Sequence, residues 1–368
     1  MRTEHEVHVD DSRSLESLED DTVELVVTSP PYPMIEMWDS IFGELNSDIS
    51  TLLDAGDGSG AFELMHEELD QTWREVSRVL VDGGIACINV GDATRTIDGG
   101  FRVYQNHARI IDAFEALGFV PLPDILWRKP VNSAAKFMGS GMLPPNAYAT
   151  LEHEYILMFR NGHAQRPFEP KSEPRYNAAY FWEERNTWFS DLWTGINGTL
   201  QTLDNTEPRA RSAAFPFEIP YRLINMYSVY GDTVLDPFWG TGTTSLAAMV
   251  AARDSVGYEL DEAFVTVFDE RVANIQSLSR DIVHDRMTRH QRFVEEREEQ
   301  REPPGYTAAH YDIPVMTKQE TQILFYVADA LNPRENRYIV DHSEYQGGTD
   351  PAATYAAQST LAGRTLDE

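Results

Sequence analysis

What the chain lacks narrows its chemistry before any motif is read. It has one cysteine, Cys87, which excludes an internal disulfide and any cysteine-rich zinc site. That cysteine sits in the apolar run Ile85 to Val90 and reads as a packed core thiol rather than a nucleophile. No apolar run approaches the roughly 20 residues of a membrane span. The start is acidic, with Glu4, Glu6, Asp10 and Asp11, the reverse of a signal peptide's basic end, so a cytoplasmic location is expected. Lysine is nearly absent, confined to Lys129, Lys136, Lys171 and Lys318. The formal net charge is −30, and its even spread matches the whole-proteome acidity of extreme halophiles, where charge serves solubility at high salt. The exception runs from Arg128 to Arg222, where basic and acidic residues roughly balance. Arg166, Lys171 and Arg175 there are interleaved with Tyr176, Tyr180, Phe181, Trp182, Trp188, Phe189 and Trp193, a pattern suited to phosphate contact and base stacking. The same rings serve equally as a small subdomain's core.

At 368 residues and 42% hydrophobic, the chain is long enough for one large α/β domain with an insertion. Short β-type runs alternate with helical patterns, which predicts a doubly wound, mostly parallel sheet. Strands are expected at Val23 to Val27, Ile85 to Val90, Leu122 to Trp127 and Glu154 to Phe159, and helices at Met65 to Val81 and Val103 to Leu117. Pro33 to Gly60 shows no period and reads as a mobile surface segment. Arg286 to Arg301 reads as a solvated helix, and the residues beyond Glu302 carry no motif.

Two strings carry the chemistry. Thr28-Ser29-Pro30-Pro31-Tyr32 follows the first of these strands, and its prolines force the chain out of the sheet as a rigid loop. The loop offers the Ser29 hydroxyl, the Pro30 carbonyl and the Tyr32 ring at the carboxyl end of a strand, where open α/β sheets place their ligands. Two acceptors and a stacking face suit a planar ligand bearing an amino group. The second string is Asp236-Pro237-Phe238-Trp239-Gly240-Thr241-Gly242-Thr243-Thr244, followed by a helix, a strand Ser255 to Tyr258, and Glu259. A strand ending in an acid, a glycine turn into a helix, and an acid after the next strand describe a nucleoside-cofactor site in which Glu259 accepts ribose hydroxyls. The third dinucleotide glycine is missing, and no phosphate-binding Gly-x-x-x-x-Gly-Lys-Ser/Thr is present.

Together the strings resemble the amino-methylating DNA methyltransferases, and their order, catalytic before cofactor, resembles the circularly permuted beta class. Leu80-Val-Asp-Gly-Gly84, Trp127-Arg-Lys-Pro130, Phe215-Pro216-Phe-Glu218 and Arg222-Leu-Ile224 extend the likeness over about Asp10 to Arg280. The resemblance implies a Rossmann-like methyltransferase fold, S-adenosyl-L-methionine as cofactor and transfer to an exocyclic amino group of a flipped base. The catalytic residues would be Ser29, Pro30, Pro31 and Tyr32, with the cofactor on Phe215, Pro216, Asp236, Pro237, Phe238, Gly240, Gly242, Thr243 and Glu259. Serine at the first motif position is the form usual in cytosine-N4 enzymes, with adenine-N6 methylation as the alternative on the same fold. The string Thr28 to Trp38 is similar to archaeal enzymes that modify the palindrome CTAG. A C5-cytosine mechanism needs a Pro-Cys nucleophile, and Cys87 follows Ala86. The expected partners are double-stranded DNA, bound through Arg166, Lys171 and Arg175, and a cognate restriction endonuclease, for a monomer or homodimer. The expected division is a catalytic half at 10–130, a target-recognition insertion at 131–211, a cofactor half at 212–285 and a C-terminal extension at 286–368.

Overall fold

Consecutive buried residues distinguish a strand covered on both faces from one that faces water. Val23, Leu25, Val26 and Val27 are all buried, so the segment holding them lies deep in a sheet with helices on either side. The computed structural model describes residues 1–129, 138–196, 215–300 and 304–347. Its main sheet contains Arg2–Val9 (β1), Val23–Thr28 (β2), Leu80–Val90 (β3), Phe119–Pro121 (β4), Ile125–Arg128 (β5), His153–Asn161 (β6), Leu192–Trp193 (β7), Thr233–Asp236 (β8), Asp254–Glu259 (β9), Tyr326–Arg334 (β10) and Arg337–Glu344 (β11). The order across it is β7-β5-β6-β3-β2-β8-β9-β1-β11-β10, with β4 beside β6. All strands but β6 and β11 run one way, so the sheet is mostly parallel, as expected.

The helices are Asp39–Leu45 (α1), Ser47–Asp54 (α2), Gly58–Val79 (α3), Asn106–Ala116 (α4), Glu173–Asn177 (α5), Trp182–Trp188 (α6), Glu218–Tyr227 (α7), Thr243–Ala251 (α8), Ala263–Val272 (α9) and Ile275–Gln300 (α10). Leu25, Val27 and Val234 pack with α7 and α8, and Val26 and Leu235 pack with α3 and α4. Strand alternation thus feeds one core layer on each side of the sheet. No helix among the described residues is long and apolar enough to cross a membrane. Cys87 is fully buried in β3, and burial pushes its thiol up.

Several expectations are corrected here. Pro33 to Gly60 is not a loose surface segment: Met34, Phe42 and Ile49 are buried, and α1 and α2 pack on α3. These helices are each about two turns long, too short to display a period. The glycine-rich end of that segment starts α3, where the Asp57 side chain accepts from Gly60 N at 2.9 Å and so caps the helix. The helix from Arg286 is not merely solvated. Val283, Met287, His290 and Val294 of α10 are buried at helical spacing, and Arg286, 4% exposed, donates to Glu184 at 2.6 and 2.8 Å.

The main sheet runs across the expected domain boundaries. The cut at 286 falls inside α10, and the hairpin β10–β11 beyond it continues the main sheet by pairing with β1. β1 itself precedes residue 10 yet pairs with β9, and β6, inside the expected insertion, lies between β3 and β5. Backbone pairing across a sheet ignores distance along the chain, so these strands belong to the sheet and not to appendages.

Candidate active site

From β2 the chain winds through α3 to β3 on one side, and from β8 it winds through α8 to β9 on the other. β2 and β8 are neighbours, so the winding reverses between them and their carboxyl ends form the crevice where such sheets bind ligands. This is where the two strings meet. Thr28 Oγ1 donates to Asp236 Oδ1 at 2.6 Å, and Thr244 Oγ1 donates to Asp236 Oδ2 at 2.7 Å. Phe238 N donates to Asp236 Oδ1 at 3.1 Å. Burial pushes the Asp236 carboxyl up to about 6, against the pull of these donors. Asp236 is the pin that holds the strings together.

Beside the pin lies a cavity of about 480 Å³, lined by Ser29, Pro31, Phe215, Phe238, Gly240, Thr243 and Glu259 among others. Pro237 also lines it, and Pro30 and Pro216, the chain neighbours of lining residues Ser29 and Phe215, are buried. Glu259 accepts from Gly240 N at 2.8 Å through Oε2 and from Asp261 N at 3.0 Å through Oε1. Burial pushes this carboxyl up, and the amides offset part of the cost. Each oxygen retains acceptor capacity, which fits the vicinal hydroxyls of a ribose. The half-buried Phe238 ring adds an apolar face for a purine. The cavity therefore fits S-adenosylmethionine.

Gly242 adopts φ 72°, and a Cβ there would collide with Phe268 and Trp239. Its need for glycine is met by packing under the turn. Arg271 is a site residue the sequence reading missed. Its Nη1 donates to Thr241 O at 2.5 Å, Thr241 Oγ1 at 2.8 Å and Thr243 Oγ1 at 3.1 Å, clamping the turn from α9. Asp11, Arg13, Trp38 and Glu68 also line the cavity. They come from the loop after β1 and from the α1–α3 region, and no local motif marked them.

The Ser29–Tyr32 loop is held by a second polar group. Tyr32 Oη donates to Glu154 Oε2 at 3.0 Å and lies 3.1 Å from Ser29 Oγ. Asn89 Nδ2 donates to Tyr32 Oη and to Glu154 Oε2, each at 2.8 Å, and Lys129 Nζ donates to Glu154 Oε1 at 2.7 Å. Burial and the Glu154 carboxylate hold the Tyr32 phenol well above its usual range. Glu154 on β6 and Asn89 on β3 were passed over in the sequence because each sits within an apolar strand, where a lone polar residue gives no spacing signal.

Arg166, Lys171 and Arg175, the expected DNA contacts, lie away from this crevice. Arg166 donates to Asp232 at 2.8 and 3.0 Å, just ahead of β8, and its backbone packs on Gly83 at the start of β3. Arg175 is exposed over the Phe168 ring, 5.1 Å away, and Lys171 is exposed on the same loop. All three belong to the amino ends of the strands, a strand length of roughly 20 Å from Ser29. Lys136, Arg209 and Arg211 lie outside the described residues. Of the aromatics, Phe181, Trp188 and Trp193 are core, while Trp182 is 38% exposed.

A doubly wound sheet with both strings at its switch point defines a Rossmann-like, S-adenosylmethionine-dependent methyltransferase. The DNA methylase family model for N6 and N4 enzymes matches residues 23–270. The Type II methyltransferase M.MthZI of Methanothermobacter thermautotrophicus is 50% identical over 328 residues, covering 89% of this chain and 91% of that one. M.MjaI of Methanocaldococcus jannaschii is 51% identical over 283 residues, covering 74% and 92%. Among solved structures, TTHA0409 of Thermus thermophilus, complexed with S-adenosyl-L-methionine, is 33% identical, with a TM-score of 0.57 over 73% of this chain and 93% of that one. The chain belongs to the N6/N4 DNA methylase family: it is an enzyme that methylates DNA with S-adenosylmethionine.

Proposed function

We propose that the chain is a cytosine-N4 DNA methyltransferase of the permuted beta class, acting on CTAG and paired with a cognate restriction endonuclease. The observation that carries the cytosine reading is Ser29, a neutral hydroxyl lining the cavity that Glu259 also lines. The Type II methyltransferases M.MthZI and M.MjaI support the restriction–modification setting. S-adenosylmethionine, when bound, supplies an electrophilic methyl group on a sulfonium. The residues of the chain do the rest by placement.

An exocyclic amino group shares its lone pair with the ring and is a poor nucleophile. The Ser29 hydroxyl and the Pro30 carbonyl accept its two N–H bonds and stabilise the charge that develops as the lone pair localises. The prolines fix the loop, Tyr32 and Asn89 hydrogen-bond the Ser29 hydroxyl, and Glu154 accepts from both of them, so little reorganisation is left for the reaction itself. The target cytosine leaves the duplex stack to reach Ser29, and the ring face of Tyr32 supports it there. Pro31 stiffens the turn between the acceptors and that ring.

The test is product identity. DNA containing CTAG, methylated with labelled cofactor and digested to nucleosides, should yield N4-methylcytosine. N6-methyladenine in its place would overturn the cytosine assignment, and equal labelling of DNA without CTAG would overturn the recognition site.

A further inference from the structure

On the opposite side of the molecule from the catalytic crevice, at the amino ends of β2 and β3, lies a second cavity of about 670 Å³. That size suits a small ligand. It is lined by four arginines, Arg160, Arg166, Arg175 and Arg185, and by two carboxylates, Glu24 and Glu320. Both carboxylates are already engaged by the backbone. Glu24 accepts from Thr233 N at 2.8 Å, and Glu320 accepts from Trp182 N at 2.9 Å and Thr317 N at 2.7 Å. Arg166 is neutralised by Asp232.

The other three arginines have no carboxylate partner among the described residues. Arg160 donates only to the Gly162 carbonyl, at 3.3 Å. Arg175 lies 5.1 Å from the Phe168 ring and Arg185 lies 4.1 Å from the Phe189 ring. In a chain of net charge −30, three guanidinium groups without a carboxylate partner line one cavity together, so their positive charge is concentrated there. Tyr180 lies beside Arg185, its ring 5.4 Å from the Phe189 ring that Arg185 covers; burial pushes its phenol up, and Arg185 and Arg175 pull it back. The half-buried rings of Phe168, Tyr176 and Tyr180 supply flat apolar walls.

Guanidinium forks recognise phosphate bidentately, and aromatic faces take a planar base by stacking. We propose that this cavity binds a free nucleoside phosphate, with Arg160, Arg175 and Arg185 on the phosphate and the Phe168, Tyr176 and Tyr180 rings against the base. It is separate from the cofactor cavity, which opens at the other end of the same strands. A duplex whose flipped base reaches Ser29 lies at that other end.

The experiment is calorimetric titration of the full chain, saturated with S-adenosylmethionine so that the cofactor cavity is closed to adenine. Wild type should bind AMP and GMP saturably. The variant R175E/R185E, altered at two exposed positions, should bind them roughly tenfold or more weakly, with S-adenosylmethionine affinity and thermal midpoint unchanged. Absence of saturable binding to the loaded wild type would overturn the proposal. Equal affinity in the variant would overturn it too, as would adenosine or inorganic phosphate binding as tightly as AMP, since either would leave half of the site unused. Tighter binding of a tetranucleotide than of AMP would overturn the assignment to a free nucleotide.

Discussion

At the scale of residues, Ser29 and Glu259 line one cavity, and the tasks proposed for them differ, so their substitution should separate rate from affinity. Ser29→Ala removes one of two acceptors where charge develops, and single-turnover methylation should slow by about 10²–10³ while DNA affinity changes little. A well-folded Ser29→Ala protein with full activity would remove the loop from the mechanism. Glu259→Ala deletes the charged acceptor proposed for the ribose hydroxyls and should weaken S-adenosylmethionine binding by roughly 1.5–3 kcal/mol. Calorimetry showing unchanged cofactor affinity would refute that role. Asp236 differs from both, because it also ties the two strands together by accepting from Thr28, Thr244 and Phe238. Its substitution should uncouple the two strands and lower the thermal midpoint as well as cofactor affinity.

At the scale of elements, the seam joining β9, β1 and β11 is held by polar side chains that must stay neutral. Thr3 Oγ1 lies 2.9 Å from His5 Nε2 and 2.9 Å from His342 Nε2, and His5 Nδ1 lies 2.9 Å from Ser255 Oγ. Burial, followed by mutual repulsion with His342, lowers His5 to about 3. Burial and the nearby amino terminus lower His342 to about 4. Between these values and the ordinary 6.5, the unfolded chain binds protons that the folded chain refuses, so stability falls as pH falls through this window. From pH 7 to 5 each histidine should cost about 2 kcal/mol. Asp236 opposes them: raised to about 6, it takes up a proton when folded and returns about 1 kcal/mol by pH 5. Urea unfolding at the two pH values should show the net loss, and H5Q/H342Q should flatten it. An unchanged slope in that variant would place the acid sensitivity elsewhere.

At the scale of the whole molecule, a net charge of −30 is a self-repulsion that the compact state must bear. We propose that the chain is adapted to high salt. Raising KCl from about 0.1 M to about 1 M shortens the screening length from about 10 Å to about 3 Å, so the thermal midpoint should rise with salt. A midpoint that stays level or falls would show that specific ion pairs, which salt weakens, outweigh the general repulsion. The same acidity bears on DNA binding. Around the crevice Lys129 pairs with Glu154, Arg128 with Glu152 and Arg95 with Asp39, so at these positions phosphate contacts compete with intramolecular carboxylates.

What the amino-acid sequence determined by itself was the chemistry that lies within a few residues: the Pro-Pro loop after β2, the acid and glycine turn after β8, Glu259 one strand later, and the alternation that makes a parallel sheet. Each of these is a local arrangement of backbone and side chain, so its signal survives in a short string. Only the tertiary structure decided which distant pieces share a face. It brought Asn89, Glu154 and Lys129 to the catalytic loop, Arg271 to the glycine turn and β1, β10 and β11 to the sheet. It also carried Arg166, Lys171 and Arg175 to the far end of the strands. Strand pairing and the direction of a strand set those neighbours, and neither is written in residue spacing. A basic residue among aromatics looks the same in sequence whether its strand carries it to the carboxyl end or to the amino end.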